Sequence, residues 1–253
     1  MRKMEQIEVC SAENQSTIEL LGELKLEHKV LSIILSDAEA SPDRPKDGMC
    51  TLMLLLRALN GETLCFDSEK LSCPGAARGM GFSDAMPAIP GGFGNFIANG
   101  AGEGFPQGER IKQTPQIAED MLHLQPRDVL GGKKYVVVKP YAEGDAASLV
   151  TFYVNSDQLA GLVQLFSYRT AEYDNVIAPM SSGCASIFRI PLGELKRDRP
   201  RAVIGNIDAF SRIHFDKNSF FFTVTAKAFK EMQEDAPSCF FTTFNWQGIK
   251  ERL

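Results

Sequence analysis

Three of the six cysteines stand where a thiolate would be stabilised or a ligand approached closely. Cys50 opens the apolar run Met49 to Leu59, which lacks proline and glycine and stops at Asn60-Gly61. The run reads as a helix with the thiol in its first turn. Cys184 follows Ser181-Ser182-Gly183 at the opening of a second expected helix. Unpaired backbone N–H groups and the helix dipole lower a thiol's pKa at such positions. Cys73 precedes Pro74-Gly75 in the turn-rich stretch Leu71 to Phe82, where small residues let backbone approach a ligand. Brought together by the fold, the three would hold an iron–sulfur cluster with one open position, bind another soft metal, or form a redox-switchable pair. The alternative is that Cys50 and Cys184 pack in the core as small hydrophobes. Cys10, Cys65 and Cys239 have no comparable setting and read as structural, and no pair has Cys-x-x-Cys spacing.

Two arginines offer a different chemistry. Arg78 is flanked by Gly75, Gly79 and Gly81, and Arg212 follows the turn that begins at Gly205-Asn206. Cations in such turns anchor a carboxylate or phosphate, with Gly75 and Gly79 leaving room for a small anionic ligand. An arginine that ties a loop by bonding backbone carbonyls is the competing reading.

Other chemistries lose support. The chain has no Gly-x-x-x-x-Gly-Lys, Gly-x-Ser-x-Gly, His-Glu-x-x-His or complete Gly-x-Gly-x-x-Gly motif. Its three histidines, His28, His123 and His214, are far apart, so a cysteine-nucleophile enzyme lacks an obvious base and no reaction is assigned. With 27 Lys and Arg against 32 Asp and Glu in 253 residues, the net charge of −5 carries no basic face for nucleic acid. The longest apolar run, Leu52 to Leu56, is far short of a membrane span. Met1 to Glu8 lacks the pattern of a secretory signal, so we expect a cytoplasmic protein with reduced thiols.

The elements that must position these residues are short and mixed. Helices are expected over Ser16 to Leu26, Met49 to Leu59, Pro115 to about Leu124 behind a Thr114 cap, and after Asn155. Strands are expected at Val30 to Leu35, Thr63 to Phe66, Tyr135 to Lys139, Leu149 to Val154, near Val176, at Ala202 to Gly205 and at Phe220 to Thr225. Pro87 to Gly108 is rich in glycine and proline and reads as an irregular loop. Several consecutive strands have no helix between them, which predicts an α+β fold, a mixed sheet with helices packed on it, in one domain spanning residues 1–253. A weak repeat relates residues 16–125 to 131–235, each a helix, a strand, a tight turn and an arginine. Chance arrangement of such units is the reading we favour over duplication. Cys239-Phe240-Phe241, Phe244 and Trp246 read as core rather than as a dimer contact.

Met49-Cys50 before an apolar helix, Asn60-Gly61-Glu62, Ser72-Cys73-Pro74-Gly75-Ala76 and Gly79-Met80-Gly81-Phe82 form an ordered series. Val137-Val138-Lys139-Pro140, Asn155-Ser156-Asp157-Gln158-Leu159, Gly183-Cys184, Gly205-Asn206 and Ser211-Arg212 continue it. From about Leu20 to Met232 this order resembles the bacterial and archaeal family called domain of unknown function 169. The resemblance implies no known activity, but it marks Cys50, Cys73, Cys184 and Arg212 as the positions that match the recurring pattern. The chain departs at Ala76, where a second glycine is expected, and at Asn206, where the pattern carries a further cysteine. A four-thiolate cluster would lose a ligand there, whereas a three-thiolate site or an anion pocket would not. The leading expectation is therefore a cysteine pocket that binds a metal, a cluster or a redox-active small ligand. Its competitor is an anion-binding or interaction module with structural cysteines.

Overall fold

Strict alternation along two central strands sets the architecture. In β4 (Leu149–Asn155), Leu149 and Tyr153 point to one core while Val150, Phe152 and Val154 point to another; in β7 (Ser219–Thr225), Phe221 and Phe222 divide in the same way. A strand apolar on both sides must be covered on both faces. The computed structural model describes residues 20–40, 50–71, 73–89, 91–99 and 109–253. It has a seven-stranded mixed sheet with helices packed on it, an α+β fold, in the order β2-β3-β1-β4-β7-β6-β5.

The other strands are β1 (Leu31–Ser36), β2 (Leu64–Phe66), β3 (Tyr135–Pro140), β5 (Val176–Ile177) and β6 (Ala202–Gly205). Neighbours pair antiparallel except β5 with β6. β3 lies between β1 and β2, so strands from the two halves of the chain interleave. Both edges, β2 and β5, are only three and two residues long, which limits edge-to-edge pairing.

One face of the sheet is covered by α2 (Thr51–Leu59), α3 (Pro74–Met80) and a helical run from residue 183 to 194, whose Ala185–Arg189 segment is a π turn and whose end is α7 (Ile190–Glu194). The opposite face is covered by the helical residues 20–24 (α1), by α6 (Ser156–Phe166), by α9 (Ala226–Asp235) and by α10 (Phe244–Lys250). Of the helix expected over Ser16 to Leu26, only the part from residue 20 lies within the described residues. α4 (Phe93–Ala98) and α5 (Pro115–His123) form a small satellite core of Ile97, Ala118 and Leu122, and α8 (Ala209–Arg212) follows β6.

Local capping accounts for several helix starts. Asn155 and Gln158 form a reciprocal capping box on α6, and Thr114 Oγ1 accepts from the Ile117 N–H at the start of α5. The C-terminal aromatics divide: Phe241 and Trp246 are buried, while Phe244 is exposed. Among the described residues no helix is long and apolar enough to cross a membrane.

Gly161 shows how closely α6 meets α10, because a Cβ there would lie 2.5 Å from Trp246 Cη2 and 3.3 Å from Leu24 Cδ2. A glycine-to-alanine change inside a helix ordinarily stabilises by up to about 1 kcal/mol. Here overpacking against a ring that cannot retreat costs about 1–3 kcal/mol and outweighs that gain. We expect Gly161→Ala to lower the urea midpoint; a raised midpoint would contradict this packing.

Candidate functional site

Each of the three cysteines stands at the start of a helix. Cys50 has an extended backbone just before α2, and its carbonyl accepts from the Leu54 N–H at 3.2 Å. The carbonyl of Cys73 accepts from Ala76 and Ala77 at 3.0 and 3.1 Å, opening α3 inside the stretch expected to be only turn. Pro74 suits the first helical position because no N–H is needed there, and Gly81 ends the helix at φ 96°. Cys184 lies in the first turn of the 183–194 run, which opens as Ser182 accepts from the N–H groups of Ala185 and Ser186.

Two glycines let these starts close onto one another. A Cβ on Gly79 of α3 would lie 2.6 Å from the Cβ of Cys184, and one on Gly183 would lie 2.4 Å from Leu52 Cδ1 and 2.9 Å from Ser211 Oγ. The start of the 183–194 run is thus enclosed by α3 at Cys184 and by the first turn of α2 and α8 at Gly183, and Cys184 is 8 % exposed. Burial pushes its thiol well above the ordinary value, and Cys50, Cys73 and then Asp208 push it further. Cys50 and Cys73 therefore lie within electrostatic reach of Cys184. Cys73 is exposed and Cys50 half-buried, so the group opens to solvent on the Cys73 side.

Acidic and amide groups complete the surroundings. Asp208 caps α8, accepting from the Ser211 N–H at 2.9 Å and from its hydroxyl at 2.5 Å. Asn206, fully buried at φ 64°, donates its N–H to Ser186 Oγ at 2.9 Å and accepts at Oδ1 from Ser211 Oγ at 2.6 Å. Ser211 has one hydroxyl proton for these two acceptors. The Nδ2 of Asn206 is buried without a hydrogen-bond partner among the described residues. Burial, reinforced by Asp208, raises the Glu109 carboxyl to about 7. As placed, no group of three or more His, Cys, Asp or Glu among the described residues could hold a metal ion.

The arginines are engaged elsewhere. Arg78 donates to the carbonyls of Asp84 at 2.5 Å and Leu122 at 2.7 Å, and Arg212 donates to those of Ser219 and Lys217 while lying 4.5 Å over the Phe220 ring. Both guanidiniums hold loops, the competing reading of the sequence. Gly79 is filled by Cys184, and Gly75 meets only the Cys73 Sγ, 3.6 Å from its would-be Cβ. Of the remaining cysteines, Cys65 and Cys239 are buried, the latter donating its thiol to the Ala236 carbonyl at 3.4 Å, and Cys10 lies outside the described residues. His123 and His214 are exposed, and His28 packs against Tyr153.

Sequence reasoning missed Arg189. It is fully buried, donating to the carbonyls of Arg78, Ser83 and Pro126 at 2.6–2.7 Å and to Asp84 Oδ1 at 2.8 Å. Its signal was a lone cation inside the apolar run Ile187-Phe188-Arg189-Ile190, a place tolerated only when every donor is satisfied. Asp208, Glu109 and the strained Asn206 had no comparable signal.

The family model of domain of unknown function 169, described as "Uncharacterised ArCR", matches residues 19–235, and the chain belongs to that family. No curated protein and no solved structure shows significant similarity to it.

Two outcomes follow from this geometry. A small alkylating reagent applied to the native protein should modify Cys73 first and Cys50 more slowly, leaving Cys65, Cys184 and Cys239 unreacted until the chain unfolds. Mass mapping that finds Cys184 modified as fast as Cys73 would refute the enclosure. A carboxyl whose folded pKa is raised destabilises the protein as pH rises through the range between the ordinary value and about 7. Glu109→Gln should therefore stabilise by about 1–3 kcal/mol at pH 8 and change little at pH 4, read from urea unfolding at both pH values.

Proposed function

We propose that Cys50, Cys73 and Cys184 form a thiolate site for a soft metal centre, an iron–sulfur cluster or a single thiophilic cation, in a redox or metal-handling protein. The observation that carries this reading is that Cys50 and Cys73, from distant segments, lie within electrostatic reach of Cys184 and raise its cost of carrying charge as a free thiolate. A cation relieves that repulsion. Asp208 adds negative charge nearby, and the guanidiniums of Arg78 and Arg212 are turned to backbone carbonyls, so a cation fits better than a small anion. Sulfur donors favour zinc, copper(I) or iron–sulfur centres over magnesium or calcium. Binding expels the thiol protons, and the reducing cytoplasm we expect for this chain keeps the thiols available.

No metal-holding group of three such residues is formed among the described residues, so holding a metal calls for side-chain rotation, which the exposed Cys73 and the half-buried Cys50 are the freest to make. The solvent access of Cys73 and the partial exposure of Cys50 favour one second reading. In it Cys73 and Cys50 close a reversible disulfide, giving two protons and two electrons to a peroxide that leaves as water.

One preparation separates the two. After anaerobic purification and reconstitution with iron and sulfide or with zinc, we expect thiolate charge-transfer absorption and about one metal centre per chain. Cys50→Ser and Cys73→Ser should each lose the centre with little change in unfolding midpoint. A protein that stays colourless and metal-free overturns the metal reading, and a Cys50–Cys73 disulfide appearing with peroxide would then select the second.

A further inference from the structure

We propose that the opposite face of the sheet carries a separate binding site for a small zwitterion of the apolar amino-acid class. A cleft of about 500 Å³ opens between α6, α9 and the segments at residues 167–175 and 196–201. That volume falls in the range of small-molecule sites, roughly 300–1,000 Å³. Its floor is apolar, with buried Leu165 and Met232 beside half-buried Phe166.

The polar groups on its wall divide into those already satisfied and those left over. Arg169 is held by Asp235 at 2.6 Å and by Glu234 at 2.9 Å, and Arg199 pairs with Glu172. A phosphate or other multiply charged anion would have to displace those carboxylates. Three groups remain. Lys227 has only Glu231, 3.9 Å away, and Asp198 forms no hydrogen bond or ion pair among the described residues. Asn175 is 7 % exposed, its Oδ1 accepts from Ser167 Oγ at 3.2 Å, and its Nδ2 is buried without a partner among the described residues. Whichever way that amide is turned, one end stays unpaired in the protein, and leaving a buried polar atom unpaired costs about 1–3 kcal/mol.

A loosely paired ammonium, a spare carboxylate and a half-satisfied amide beside apolar side chains match one ligand chemistry. The ligand's carboxylate meets Lys227, its ammonium meets Asp198 and its hydrocarbon body covers Leu165 and Met232, while Asn175, whose Nδ2 is shielded from solvent, has to turn toward the cleft to meet either charged end. This site stands apart from the thiols, which lie against the other core.

The test is calorimetric titration of the full chain with leucine, methionine and phenylalanine. Two controls are each missing one charged end of leucine: 4-methylpentanoate and 3-methylbutylamine. We expect saturable binding of at least one amino acid, and at least about tenfold weaker binding of the single-ended analogues, or about 1.4 kcal/mol. Asp198→Asn and Lys227→Gln, both at exposed positions, should weaken amino-acid binding by a similar factor without moving the ligand-free melting temperature. No saturable binding of any of the three at millimolar concentration overturns the proposal. So does binding indifferent to both substitutions, or displacement of the amino acid by equimolar phosphate.

Discussion

The buried guanidinium of Arg189 is the constraint around which the thiol face is organised. A charge removed from water must have its donors satisfied, and removing one partner of such a buried set typically costs about 3–5 kcal/mol. Arg189 meets that demand with three carbonyls and the Asp84 carboxylate, which belong to the end of α3, the segment after it and the approach to β3. Burial and the neighbouring Arg189 lower the pKa of Arg78, whose own guanidinium donates to the Asp84 and Leu122 carbonyls. The two side chains fix α3 against the 183–194 run, so Cys73 at one end of α3 is held in register with Cys184.

The π turn is part of the same arrangement. Its Ile190 N–H reaches back five residues to the Ala185 carbonyl instead of four. In an α-helix, residues five apart are separated by about 140° around the axis, and a wider turn reduces that angle. Cys184 and Arg189 are five apart, so the π turn lets one segment present the thiol to the helix starts and the guanidinium to the loops below. π turns are frequent at functional sites. On the other side of the sheet no such device is present among the described residues, and the cleft above Leu165 and Met232 is shaped by ordinary helix packing.

Legibility in the sequence followed how local each cause was. β1, β2, β3, β4, β6, β7, α5 and α6 were readable because periodicity and side-chain caps lie within a few residues; the Asn155–Gln158 box is an example. α3 was hidden because Pro74 and Gly75, read as turn formers, stand instead in a first helical turn, and Gly81 serves as a left-handed end. α4, inside the stretch read as an irregular loop, was hidden in the same way by glycine at its start. The three cysteines could be singled out from their helix-start settings, but their approach depends on Gly79 and Gly183 meeting partners more than 100 positions away, which no local pattern records. The carbonyl partners of Arg78 and Arg212 were not legible, because a guanidinium beside glycines looks alike in sequence whether it faces an anion or a ring of carbonyls.

What remains decisive is whether the three sulfurs act on one centre. Zinc K-edge X-ray absorption on the reconstituted, desalted full chain reads this directly. The account predicts, for the unsubstituted chain, a first shell dominated by sulfur at about 2.3 Å, and a Cys73→Ser variant that does not hold the centre. A shell of oxygen and nitrogen alone, or no zinc retained after desalting, would contradict it.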